Sequence, residues 1–116
     1  MTFNLDDCEP VSARLARWLE NTDGKTQVLT DMVHRGDDWC IFKASLYVDG
    51  ILVATGWAEE HVTDRGVNST SHVENCETSA VGRALANAGF AGSDPSKRAS
   101  REEMTKVQRM GGQPAQ

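Results

Sequence analysis

The sequence predicts an α+β fold: a three-stranded antiparallel β-meander followed by a helix packed on one face, with an N-terminal helix and a flexible C-terminal tail. Three observations carry that expectation. Apolar residues recur at helical spacing near the start of the chain, switch to a period of two from Thr26, and return to helical spacing after Ser71. Asp49-Gly50 separates two apolar stretches, and a type I′ hairpin turn needs positive φ at both of its central residues. The composition is that of a globular domain: of 116 residues, 39% are hydrophobic and 25% are charged.

The first helix is expected over residues 10–21. Pro10 suits the first helical position, where its missing N–H costs nothing. Val11, Leu15, Trp18 and Leu19 form the apolar stripe, with Arg14, Arg17 and Glu20 on the other side, and Asn21-Thr22-Asp23-Gly24 ends the helix.

Strands follow over Thr26–His34, Trp39–Val48 and Ile51–Glu60, joined by Arg35-Gly36-Asp37-Asp38 and by Asp49-Gly50. A regular two-residue hairpin would pair Val48 with Ile51, Leu46 with Val53, Ala44 with Thr55 and Phe42 with Trp57, all on one apolar face. The opposite face would then hold Ile41, Lys43, Ser45 and Tyr47 beside Leu52, Ala54, Gly56 and Ala58. That face is small and mixed, open either to solvent or to another chain.

The second helix is expected over residues 71–89. Ser71 and Glu74 have the spacing of a capping box, and Gly89 suits the position just past a helix end. Val73, Cys76, Ala80, Ala84, Leu85 and Ala88 make a stripe of mostly small side chains suited to close approach onto a sheet, and Phe90 is expected to pack back. Residues 1–92 thus read as one α+β domain and 93–116 as a basic, partly disordered tail, with a second capping box at Ser100–Glu103.

The net charge is −5, which argues against coating duplex DNA by bulk attraction. The charge is uneven: residues 1–92 carry net −7 and residues 93–116 net +2, so the tail is the expected place for an anionic partner. Cys8, Cys40 and Cys76 are odd in number and widely spaced, unlike a disulfide framework or a zinc knuckle. No leader and no apolar run near the ~20 residues of a membrane span is visible, so a cytoplasmic protein with no membrane partner is expected. His34, His61 and His72 supply no local ligand set, and no nucleotide-loop, zinc-protease or nucleophile-elbow motif is present. Glu59-Glu60-His61 and the pair Glu74 and Glu77 have the chemistry for acid–base work. Solvated faces and helix N-terminal charge explain them as well. No catalytic residue, metal or cofactor is therefore expected, and the chain reads as a non-enzyme.

The most distinctive stretch is Glu74–Phe90, with Thr78, Ala80, Arg83, Ala84, Leu85 and Gly89 at characteristic places after a β-β-β meander. It resembles the helix of phage single-strand annealing proteins of the Erf and Sak types, and of the eukaryotic annealing protein related to them. The resemblance implies a protein that binds single-stranded DNA and pairs complementary strands in recombination, as a homo-oligomer or ring, in the cytoplasm of a bacterial host. Arg83 is then the candidate phosphate contact on the helix, with Lys43 and Arg65 extending a groove and Lys97, Arg98 and Arg101 adding the tail's charge. Each has an ordinary alternative. Arg83 could pair with Glu77, Asn87 or a sheet-edge acid, and the others could be solvated. Trp39 is open as a base-stacking residue, whereas Phe42 and Trp57 are expected to face the core. The alternative function is a non-catalytic phage accessory module that binds a host or replication protein.

Overall fold

A computed structural model describes residues 9–62, 70–90 and 100 of the chain. Its elements run α1 (Val11–Asn21), β1 (Thr26–Arg35), β2 (Trp39–Val48), β3 (Ile51–His61) and α2 (His72–Asn87). The strands form one antiparallel sheet in the order β1-β2-β3, so the α+β meander is the fold. The expected 93–116 tail, with Lys97, Arg98, Arg101 and its capping box, lies outside the described residues except for Ser100, as does Arg65. Among the described residues no helix is long and apolar enough to cross a membrane.

Local chemistry sets the element ends. Pro10 is the N-cap of α1 rather than its first helical residue, and its carbonyl accepts from the N–H groups of Ala13 and Arg14. Asp49 and Gly50 take φ of 51° and 79°, as a type I′ turn requires. Gly89, at φ 98°, turns the chain out of α2: its N–H donates to Ala86 O, and that of Phe90 to Leu85 O at 2.8 Å. These two bonds form a Schellman motif, and Phe90 packs back on the core as expected. The expected capping box is not formed, because Ser71 is the N-cap of α2 but makes no side-chain cap bond.

The core lies between the sheet and α2, with α1 packed on α2. Cys40, Phe42, Ala44 and Leu46 of β2 meet Cys76, Ala80, Ala84 and Leu85 of α2, and Val11 and Trp18 of α1 join them. Two sequence expectations for α1 fail. Leu19 is exposed. Arg14, expected in solvent, is fully buried, and its Nη1 donates to Gly82 O at 3.2 Å. A helix packed on another helix buries a wider arc than its apolar stripe, and here that arc includes a guanidinium whose charge Glu9 approaches at 3.8 Å.

The largest difference is in the register of β2 and β3. Val48 pairs with Ile51 and Tyr47 with Leu52, but the next pair is Leu46 with Ala54. Val53 is an extra residue on β3, a β-bulge. One inserted residue carries every later side chain to the other face. Ala54, Gly56 and Ala58 therefore face α2, not the open side, and Trp57 leaves the core to sit opposite Lys43. A second irregularity skips Val33 in β1, so His34 pairs with Ile41.

Candidate functional site

Both bulges shape the sheet face that α1 and α2 leave uncovered among the described residues. On β2 that face presents Trp39, Ile41, Lys43, Ser45 and Tyr47, flanked by Leu29, Asp31 and His34 on β1 and by Thr55, Trp57, Glu59 and His61 on β3. Aromatic rings gather at one end. Trp39 stacks with His34 at a centroid distance of 4.2 Å and lies nearly parallel to His61 at 6.1 Å. Regular pairing through Val33 would have put His34 on the helix side, so this stack depends on the bulge.

Trp57 is the second aromatic feature. It is 49% exposed, and the Lys43 ammonium lies 5.5 Å from its ring centre. A cation at that distance is held by the ring's quadrupole, which fixes Lys43 beside the indole. Asp31 is the backbone register partner of Lys43 on β1.

Beside Trp57, β3 and the exposed side of α2 form a groove of about 520 Å³, lined by Thr55, Trp57, Glu59, Ser79, Arg83 and Asn87. It exists because α2 approaches β3 closely. A Cβ on Gly56 would fall 2.3 Å from Ala84 N and 2.6 Å from Ala80 O, so only glycine admits the helix at this distance. Asn87 Nδ2 donates to Thr55 O at 2.7 Å, tying the helix to the strand edge. Arg83 is exposed one turn before it.

The structure thus sets Lys43 against the Trp57 ring and Arg83 in the groove that this ring lines. Glu77 is held by Thr30, whose Oγ1 donates to its Oε2 at 2.7 Å. Sequence reasoning missed Trp57, Asn87 and the ring stack. One signal was present: Gly56 inside a strand marks a bulge or a close backbone approach.

The Arg17 guanidinium and the Cys76 thiol make structural bonds. Arg17 donates to both carboxylate oxygens of Glu9, at 2.8 and 2.6 Å, and that bond holds its pKa above the usual value. The Cys76 thiol donates to Ala58 O at 3.3 Å and Cys40 O at 3.5 Å. Burial first, then its hydrogen bond with Cys40, pushes it up to about 12.

Fold and site together define a small α+β domain with both helices in one core and an aromatic, partly cationic open sheet face. Residues 16–88, more than half of the chain, match the family described as Slr1353 N-terminal dsRNA-binding domain-like, and the chain belongs to that family. No curated protein and no solved structure matches it. The family match corrects the resemblance to phage annealing proteins. It runs from α1 through α2, whereas the resemblance rested on a short motif within α2. Packing accounts for that motif: Ala80, Ala84 and Leu85 are core, and Gly89 is the helix-ending glycine.

Proposed function

We propose that this chain is a non-catalytic nucleic-acid-binding module that works through the open sheet face and the adjoining β3–α2 groove. The observation that carries the reading is an exposed indole with Lys43 against its ring and Arg83 in the groove that the indole lines. Aromatic platforms combined with cations that track a backbone are the usual means of holding single strands. The family's description as double-stranded-RNA-binding-like supports a nucleic-acid partner and favours duplex RNA as the second reading. The duplex reading asks for phosphate contacts across two minor grooves and the major groove between them. The described residues offer little for that. Arg14 is buried and Arg17 is bound by Glu9; Lys25 and Arg35 are exposed, but the β1–β2 turn and the first turns of α2 also carry Asp37, Asp38, Glu74 and Glu77.

Fluorescence anisotropy with labelled single- and double-stranded DNA and RNA, at low and physiological salt, tests the module. Binding to single strands is expected to weaken with salt, and Lys43→Gln with Arg83→Gln to lower the slope by about 0.7 per phosphate contact removed. No anisotropy change with any strand at about 100 μM protein, the weak end of non-specific binding, overturns the reading. That outcome would favour the accessory-module alternative, which the net charge of −5 and the exposed Ile51, Leu52 and Val53 support.

Among the described residues β1 and β3 are the outer strands of the sheet, and this further supports assembly of several copies, since unpaired strand edges invite pairing. Light scattering on a sizing column tests this, and a particle near 12.7 kDa at every concentration would exclude it.

A further inference from the structure

Resting on the nucleic-acid reading above, we infer that the β3–α2 groove takes one unpaired nucleobase, stacked on Trp57, with the neighbouring phosphates on Lys43 and Arg83. The substrate class is therefore single-stranded, DNA or RNA, and the duplex is excluded because its bases are already stacked and paired.

Three independent features of the groove fit that occupant. The first is the ring. Trp57 is the large aromatic that the Val53 bulge turns out of the core, and half of it remains open to solvent. The open half of an indole at a strand edge gains no packing, whereas a base laid on it recovers that contact. The second is size. A groove of about 520 Å³ is within the range of pockets that hold small ligands, roughly 300–1,000 Å³. The third is charge. Lys43 lies against the ring from β2 and Arg83 lines the groove from α2, with Glu59 as the carboxylate in the groove. Two outer cations around a central neutral surface complement a nucleotide, whose base is neutral and whose phosphates leave in opposite directions along the strand. A bare phosphate at the centre would meet Glu59 instead.

The groove's walls are also set in advance. Gly56 fixes the separation of β3 and α2, and the bond from Asn87 to Thr55 closes one end. A preformed slot binds without first ordering a loop, which lowers the cost of association.

The test compares three ligands: a labelled single strand, the same strand with abasic sites through its middle, and its duplex. The proteins are the wild type, Trp57→Ala and Trp57→Phe, each checked for its helix signal and urea midpoint. For the wild type, the single strand is expected to bind more tightly than the abasic strand or the duplex. Trp57→Ala should weaken single-strand binding at least fivefold, the loss of one stacked base at about 1 kcal/mol or more. Trp57→Phe keeps a ring and should retain most of the affinity. On the abasic strand, Trp57→Ala should change little, because the group it stacks is gone.

Equal binding of single strand and duplex, with Trp57→Ala silent, overturns this inference and leaves the nucleic-acid reading standing. A Trp57→Ala loss that is equal on intact and abasic strands also overturns it, by making the role structural. Failure of the wild type to bind any strand overturns both.

Discussion

The two faces of the sheet are built on opposite rules. The covered face of β3 is Ala54, Gly56 and Ala58, set against Ala80 and Ala84 of α2, so the smallest residues stand where backbones come closest. On the open face the large rings of Trp39, Tyr47 and Trp57 stand where no described helix covers them. Side-chain size here follows the distance to the next layer rather than hydrophobicity alone. A tightly packed side must be small, and large apolar rings on an uncovered side mark a surface available to a ligand.

The largest expected effect breaks the covered side. Gly56→Val places methyl groups against backbone atoms of Ala80 and Ala84, which cannot rotate away. We expect a loss of more than about 3 kcal/mol, enough to prevent α2 from docking, read as collapse of the urea transition. Next comes a direct contrast of the faces. Leu46 is fully buried, and Leu46→Ala should cost about 2–5 kcal/mol. Trp57→Ala, although it removes a larger side chain, should cost less than about 1 kcal/mol. Equal costs in urea melts would mean that Trp57 is a packing residue and that the open face is not open.

Titration sharpens the contrast further. The Cys76 thiol has a folded pKa of about 12 against an ordinary 9.0. The folded state therefore holds a proton that the unfolded chain gives up sooner. The stabilisation is complete below pH 9 and is lost as pH rises toward 12. Urea midpoints of the wild type should fall over that window, and those of Cys76→Ala should fall less. Parallel curves for the two proteins would remove the thiol from the explanation.

The smallest effect concerns the bulge. Deleting Val53 removes the unpaired residue while Leu46 still meets Ala54 and Lys43 still meets Trp57. Stability should change by less than about 1 kcal/mol, and acrylamide should still quench Trp57. Protection of Trp57 in that variant would show that its exposure does not follow from this register.

Element order, turn type and the β2 boundaries were legible in the sequence because each rests on short-range chemistry: an Asp-Gly turn, a change of period, a glycine past a helix. The face assignment of β3 was not. Its pattern Ile51-Leu52-Val53 is apolar at every position, so periodicity carries no sign of which residue bulges. Gly56 and the matched alanines of α2 held the missing information, but only as a relation between two distant segments. Arg14 was misplaced for a related reason: its partner is a backbone carbonyl in another helix, which no local pattern reveals. For the candidate site, Lys43 was named from its place on the sheet and Arg83 through the resemblance, while the outward side of Trp57 follows from how β3 absorbs Val53.

The contact between Arg14 and Gly82 also sets a timetable for the newborn chain. Its two ends are 68 residues apart, and Gly82 must leave the ribosome before α1 finds its seat. At roughly 5–20 residues per second, the first helix waits about 3 to 14 s with Val11 and Trp18 uncovered. A helix of 11 residues is too short to persist alone, so during that interval it is mostly unwound. The α1 segment is synthesised before the rest of this core and is among the last of its elements to fold, and in that window it is the part a chaperone or protease would meet.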